Sequence, residues 1–239
     1  MSNINQTKVK KKKIDIWKEK SNIFFDVLKI ELILIIHKET NAIIGQKNIH
    51  ESLFDLELTN KLLLEIMSYE ISSKRANISD GDIQKDISIF EYDNYKIILE
   101  EGNFIRGAMI LNANPSYYLH KALETFVKEY EKDNQQYLET YKRKIIKYPK
   151  FLDLVEKIID ITLVFPHIIN LSHLSTSVSP YQDNMLNMAT MIQKKKGKFF
   201  LSELLNQLLL KKDSNEPKEK IIANIFDLRQ YGYIIPIEK

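Results

Sequence analysis

The sequence contains no cysteine among its 239 residues. Disulfides, thiolate metal ligands and a thiol nucleophile are therefore excluded, and a reducing compartment, the cytoplasm, is expected. Hydrophobic runs are short, and none approaches the roughly 18–20 residues that a transmembrane helix needs. The first lysines are followed by Asp15, Lys18 and Glu19, so the N-terminus lacks the apolar segment of a signal peptide.

Glycine is also scarce, with six in the chain, and the glycine-rich phosphate-binding and hydrolase motifs are all absent. His120 has Tyr117 and Glu124 at helical spacing, which is more typical of a surface histidine than of a catalytic one. Asp80 and Asp82 do not have the spacing of a calcium loop. We therefore predict a protein that is not an enzyme, with no catalytic residue, no metal site and no cofactor.

The charge is uneven along the chain, although the net charge is only +3. Residues 1–20 carry seven lysines against two acidic residues, residues 21–181 carry 18 basic against 23 acidic residues, and residues 182–239 carry 10 against seven. Repulsion among the lysines predicts that residues 1–20 are a disordered basic tail. A second interpretation is a reversible contact with anionic lipid through Lys10, Lys11, Lys12 and Lys13.

Residues 29–37 are dominated by isoleucine and leucine, which favours a strand covered on both faces. After a polar loop, residues 42–49 predict a second strand that completes a hairpin. A helical period follows over residues 56–73, with a loop at residues 79–82. Three short segments separated by turns, at residues 87–92, 95–100 and 104–111, then predict an antiparallel meander. The predicted fold is α+β, with a five-stranded antiparallel sheet flanked by helices.

Two amphipathic helices complete this domain, which we assign to residues 21–165. The first is capped by Ser116, and its apolar positions follow helical spacing. They are Leu119, Ala122, Leu123, Phe126, Val127 and Tyr130. The second starts near Phe151. Residues 166–181 are rich in serine and proline and are interpreted as a linker.

Residues 182–239 predict a small helical module. One helix ends at Gly197, a second is capped by Ser202, and a third begins at Pro217. The chain then ends in an edge strand that contains Pro236. Near Gly197 lies the second basic cluster, Lys194, Lys195, Lys196 and Lys198. It predicts either a contact with nucleic acid or a set of lysines that complement a helix dipole.

The order of these elements resembles the longin/roadblock family of profilin-like small domains. The resemblance covers roughly residues 22–146. It is carried by IIHKETNAII at residues 35–44, FEY at 90–92 with the turn Asp93–Asn94, residues 102–109, and NPSYYL at 114–119. The end of the chain, with LRQYGYI at residues 228–234, resembles a winged-helix module.

The resemblance implies a non-catalytic adaptor or scaffold. Its expected partners are other proteins, including small GTPases, other longin/roadblock domains or a second copy of the chain in a homodimer. An exposed sheet edge suits such pairing, and the candidate edges are residues 87–92 and 42–49. The alternative is a DNA-binding regulator that uses the winged-helix-like module, with the longin-like domain as its dimerisation or sensor unit. The mildly acidic body disfavours nucleic acid.

Overall fold

The structure is a computed structural model that describes residues 2–49, 56–68, 75–80, 83–141, 150–170, 172, 178–210 and 216–237. The helices are α1 (Ser2–Val27), α2 (Leu56–Ser68), α3 (Tyr117–Glu139), α4 (Lys150–Ile159), α5 (Pro180–Lys196), α6 (Leu201–Leu210) and α7 (Lys218–Gln230). The strands are β1 (Ile30–His37), β2 (Ala42–Asn48), β3 (Arg75–Asp80), β4 (Ile83–Tyr92), β5 (Tyr95–Glu101), β6 (Ile105–Leu111), β7 (Pro166–Ile169), β8 (Phe199–Phe200) and β9 (Ile234–Pro236). Contacts divide the chain into a sheet unit, residues 26–161, and a helical unit, residues 1–25 with 162–239.

The sheet unit contains the predicted five antiparallel strands, in the order β2-β1-β6-β5-β4. The α+β class is therefore confirmed. A further strand, β3, was not predicted. It pairs with the first half of β4, from Ile83 to Ser88, and β5 pairs with the second half, from Ile89 to Tyr92. The predicted loop at residues 79–82 is thus wrong at its start, because Ser79 and Asp80 belong to β3.

The central position of β1 follows from its composition. All eight of its residues are buried, and β2 and β6 flank it. Leu32, Leu34 and Ile36 pack into a cluster with Leu62 and Ile66 of α2. A strand with apolar side chains on both faces can be covered by helices on both sides, which is why a nearly continuous apolar run is found here.

The second layer of helices lies over β5 and β6. Helix α3 contacts both strands and α4. The hydroxyl of Ser116 accepts a hydrogen bond from the N–H of Leu119, so the predicted cap is confirmed. The predicted apolar positions of this helix are all buried. They are Leu119, Ala122, Leu123, Phe126, Val127 and Tyr130.

Tight turns connect the strands where the sequence predicted them. Asn41 ends the loop between β1 and β2 with φ 54°, and Asp93 makes the β4–β5 turn with φ 53°. Asparagine and aspartate adopt this left-handed conformation more easily than other residues with a side chain. The hairpins therefore need no glycine at either position.

The predicted disordered tail is wrong, because residues 2–27 form helix α1. This segment contains neither glycine nor proline, and lysine and glutamate are good helix formers. Like charges on a helix cost only tenths of a kcal/mol per pair. Contacts with α7 add to this: the ammonium of Lys20 lies 2.7 Å from the carboxylate of Asp227, and that of Lys218 lies 3.9 Å from the ring centre of Phe25. The first 25 residues accordingly group with the C-terminal part of the chain.

The predicted linker is also wrong at its ends. Residues 166–169 form β7, the central strand of a small sheet with the order β8-β7-β9. The ring of His167 is fully buried, and its Nδ1 lies 2.8 Å from the carbonyl oxygen of Phe165. Helix α5 already begins at Pro180. The unit boundary falls near residue 162 instead of residue 166.

The three predicted helices of the helical unit are present as α5, α6 and α7. Gly197 ends α5 with φ 77°, as predicted, and β9 is an edge strand. Helix α6 begins at Leu201, so Ser202 lies inside it and is not its cap. Asp55, the predicted cap of α2, lies outside the described residues.

Candidate functional site

The outer edge of β2, here called the β2 edge, has no neighbouring strand among those that the structure describes. The N–H of Ile49 donates to the carbonyl oxygen of Glu31 at 2.9 Å. Backbone groups of an antiparallel pair alternate between facing the partner and facing away. The backbone groups of Lys47 therefore face β1, and those of Gln46 and Asn48 face outward. These outward groups can accept an added strand.

Helix α4 packs against strand β2 through the ring of Phe151, which lies over Gly45. A Cβ atom on Gly45 would lie 2.9 Å from Cδ2 of Phe151, which is closer than real Cβ contacts allow. The ring of Phe151 also packs edge-on against Phe126 at 5.9 Å between centres. Because Gly45 has no Cβ atom, the ring of Phe151 can pack directly against the backbone of β2. The β2 edge is presented on a supported backbone, which reduces the entropy cost of binding.

The other predicted edge, residues 87–92, is only partly open. Ile87 and Ser88 pair with Ala76 and Arg75 of β3. Nothing in the local sequence predicted this pairing, since residues 75–80 contain asparagine and aspartate, which are poor strand formers. The prediction that 87–92 is an edge is therefore wrong for its first residues.

A polar cluster holds the start of β1. Asp26 is 1% exposed. Its carboxylate accepts one hydrogen bond from the ammonium of Lys29 at 2.8 Å and another from the hydroxyl of Ser116. The neighbouring Glu31 is 3% exposed and accepts from the side-chain amide of Asn112 at 2.5 Å. The two carboxylates are tied to α3 and to the end of β6. Their contacts are structural, because they fix where the sheet begins.

His120, which the sequence predicts to be a surface histidine, lies on α3 near the carboxylates of Glu100 and Glu124. Its Nε2 is 3.6 Å from the carboxylate of Glu100. Burial raises the pKa of Glu100, and the charge of Glu124 raises it further. Hydrogen bonds from Lys121 and Lys128 lower the pKa of Glu124 to about 2. The group is a partly buried charge network that joins α3 to β5.

Replacement of Glu124 by glutamine is expected to lower the free energy of unfolding at pH 7 by about 0.5–1 kcal/mol, as for a partly exposed ion pair. The folded pKa of Glu124 is depressed from about 4.5 to about 2, so its contribution is complete above pH 4.5 and is lost as the pH falls towards 2. Urea unfolding of both proteins between pH 2 and 7 would show curves that converge at low pH. A constant difference would contradict this assignment.

A second feature of α3 is the carboxylate of Glu131. It accepts hydrogen bonds from the backbone N–H groups of Asn103, Phe104 and Ile105 at 3.0, 2.7 and 3.1 Å. Three successive N–H groups would form an anion site if they were open. Here the protein's own carboxylate fills it. The depression of about 310 Å³ beside it is lined by Asn103, Phe104, Lys128, Glu131, Lys132 and Gln135.

The lysine cluster 194–198 lies at the end of α5, where basic residues complement the helix dipole. Lys195 and Lys196 line a groove between α5 and α6 with a volume of about 270 Å³. We call it the α5–α6 groove. Its lining residues are Met188, Met191, Ile192, Lys195, Lys196, Glu203 and Gln207. The sequence pointed to the lysines, but it did not indicate the methionines beside them.

The third helix of the helical unit, α7, uses its cations internally. Lys218 lies over the ring of Phe25, Lys220 pairs with Glu216 at 2.6 Å, and Arg229 donates to the hydroxyl of Thr162 at 2.6 Å. These contacts tie α7 to neighbouring segments of the same unit. They leave this helix poorly suited to reading a nucleic-acid groove, which is the task of the recognition helix in helix-turn-helix proteins.

Lysines 10–13 belong to helix α1, but the structure describes only their backbone, so the predicted lipid contact of their side chains stays a prediction.

In the ranges that the structure describes, no three histidine or carboxylate side chains come together in a way that could hold a metal ion. No described helix is both long enough and apolar enough to cross a membrane. No protein-family model matches the chain, and no curated protein matches it either.

Proposed function

We propose that the protein is a non-catalytic adaptor that binds other proteins, including small GTPases, by adding a strand to the β2 edge. The observation that supports this most directly is the outward-facing backbone of Gln46 and Asn48 on a strand supported by Phe151. Strand addition obtains affinity from main-chain hydrogen bonds and specificity from side chains beside the edge.

The order of elements within the sheet unit supports the longin/roadblock resemblance. Two strands, a helix, three strands and two helices follow one another as β1, β2, α2, β4, β5, β6, α3 and α4. Two departures are α1 before the first strand and the extra strand β3. The resemblance implies the class of partner, and the edge supplies a physical means of binding it.

The strength of such binding is limited. Each new main-chain hydrogen bond contributes about 0.5–1.5 kcal/mol. The side chains of Gln46 and Asn48 are hydrogen-bonded to each other at 3.1 Å and lie on the same face, where they can contact an added strand. A few main-chain bonds with some side-chain contact give a reversible complex, which suits an adaptor.

Replacement of Gln46 by proline is expected to abolish strand addition, because proline removes the outward N–H group and its ring obstructs the neighbouring strand. Proline is tolerated at a sheet edge, so folding should be retained. The matched control is Gln46→Ala, which removes the side chain and keeps the N–H. Binding would be measured by pull-down with purified small GTPases from the same cell, loaded with GDP or a GTP analogue, and self-association by light scattering after size exclusion.

The expected result is binding that survives Gln46→Ala and is lost in Gln46→Pro, with circular dichroism unchanged in both. Equal binding by wild type and Gln46→Pro would reject the edge as the binding site. A protein that stays monomeric and captures none of the GTPases would reject the adaptor proposal itself.

A second function, DNA-binding regulation with the sheet unit as dimerisation or sensor unit, is favoured by the exposure of Lys194, Lys195 and Lys198. Affinity that arises from phosphate contacts falls steeply between 50 and 200 mM salt. Fluorescence anisotropy of labelled duplex DNA with the full chain would measure this dependence. No salt-dependent binding would eliminate the second function.

A further inference from the structure

The α5–α6 groove is built from one face of each helix. Met188, Met191 and Ile192 have the spacing i, i+3 and i+4, and Lys195 and Lys196 follow one turn later. Glu203 and Gln207 line the opposite wall, and Leu210 follows Gln207 by three positions on the same face of α6. The groove itself has methionine and isoleucine side chains at its centre and charged side chains towards one end.

Apolar side chains remain exposed on this surface. Met191 is 57% exposed and Leu210 is 74% exposed, whereas Met185 and Leu208 on the inner faces of the same helices are buried. A methionine side chain is flexible and polarisable, so it adapts to different apolar ligands. An exposed apolar side chain beside a groove with charged walls is suited to anchor an apolar side chain of another protein.

The charge around the groove is positive. Lys196 pairs with Glu203, the single acid among the described residues that line the groove. Lys194, Lys195 and Lys198 are exposed and have no ion-pair partner among the described side chains. A ligand with carboxylates at this end of the groove would be attracted, and one with lysines would be repelled.

We infer that the α5–α6 groove binds an amphipathic helix of another protein, with two large apolar side chains on one face and acidic residues beside them. A cavity of about 150 Å³ holds one benzene-sized group, so 270 Å³ accommodates about two such side chains. Side chains at i and i+4 of a helix lie on one face and fit this arrangement. The site belongs to the helical unit and does not depend on the β2 edge.

The apolar centre distinguishes this ligand from nucleic acid. Phosphate contacts need cations and polar groups, and methionines at the centre of the site would contribute nothing to them. The lysines alone are compatible with DNA, but Met191 and Leu210 are not explained by it. An acidic amphipathic helix accounts for the apolar side chains and for the charge together.

The test is a selection of displayed random peptides of about 16 residues against the full-length protein. We expect enriched sequences with paired apolar residues at i, i+4 and an excess of Asp and Glu. The most enriched peptide would then be labelled, and its dissociation constant measured by fluorescence anisotropy. Its helicity should rise on binding, as read by circular dichroism.

Met191→Glu is expected to weaken this peptide at least tenfold, because it places a charge where an apolar anchor packs. Tyr231→Glu is the matched control: Tyr231 is exposed, lies outside the groove, and should leave affinity unchanged. Lys195→Glu should weaken the peptide about two- to fivefold and strengthen a variant peptide whose acids are replaced by lysine. This exchange of preference would not arise from a general loss of folding.

Four results would overturn the inference. Enriched peptides without acidic residues, or an affinity that Met191→Glu leaves unchanged, would place the binding elsewhere. Random-sequence duplex DNA that displaces the peptide, and whose own binding is lost in Lys195→Glu but kept in Met191→Glu, would assign the surface to nucleic acid. A dimer in light scattering that Met191→Glu dissociates would show that a second copy occupies the groove.

Discussion

Replacement of Glu131 by alanine is expected to lower the free energy of unfolding of the sheet unit by about 3 kcal/mol. The carboxylate accepts three backbone N–H groups of the β5–β6 turn, at Asn103, Phe104 and Ile105. A hydrogen bond to a charged acceptor contributes about 1.5–3 kcal/mol, and the three are not additive because the turn lies near solvent. Loss of the carboxylate leaves these donors without their acceptor and releases the turn from α3.

Urea unfolding followed by far-ultraviolet circular dichroism would measure the loss, and hydrogen exchange would show faster exchange of the three turn amides. Glu131→Gln keeps one oxygen acceptor and should lose about half as much. The control is Glu129→Ala on the same helix. The carboxylate of Glu129 is exposed, and its ion pair with the ammonium of Lys132 is long, at 3.6 Å, so it should contribute little. Similar losses for Glu129→Ala and Glu131→Ala would contradict the role assigned to the turn.

The parts of the fold that sequence reasoning predicted are those with a strong local pattern. The isoleucine-rich strand β1, the apolar stripe of α3 and the Asp93 turn each follow from residues close together in sequence. Each pattern also agrees with the tertiary structure, since buried strands and helix faces need such residues. The α+β class could therefore be predicted before any contact was known.

The elements that were missed depend on distant contacts. Strand β3 has a weak strand sequence and exists because β4 extends beyond β5 and offers it a partner. Helix α1 has a lysine-rich sequence that suggested disorder, but Lys20 pairs with Asp227, more than two hundred positions away. Strand β7 has only four residues, begins at Pro166 and is followed by a serine-rich segment, and it is ordered by pairing with β8 and β9.

The candidate surfaces show the same division. The lysines at 194–198 and the strand at 42–49 were visible in the sequence. The exposure of Met191 was not, because a methionine at helical spacing is normally a core residue. The contacts of Lys218 with Phe25 and of Arg229 with Thr162 were also hidden, since both partners are distant in sequence. On these two findings we base the proposal that the lysine cluster forms one side of a protein-binding groove instead of a nucleic-acid contact.

Replacement of Gly107 by alanine is expected to lower the free energy of unfolding by about 1–2 kcal/mol. Gly107 lies in β6 under α3, where a Cβ atom would be 2.5 Å from Cγ2 of Val127 and 3.1 Å from Cδ1 of Leu123. Leu123 can turn its end away, but the β-branched Val127 is held in one rotamer in a helix. The helix must therefore move off the sheet, at a cost of about 1–3 kcal/mol, which exceeds the 0.4–1 kcal/mol that alanine gains from the unfolded chain.

Val127→Ala provides the decisive comparison, because it removes the methyl group that Gly107→Ala would meet. Alone, this change should destabilise the protein by loss of buried apolar volume. Combined with Gly107→Ala, it should cost less than the sum of the two single changes by at least about 1 kcal/mol, because the new Cβ fills the space that the methyl leaves. The four proteins of this cycle would be compared by urea unfolding. Simple additivity would mean that α3 does not rest on Gly107, and that the close approach of helix and sheet is sustained by other residues.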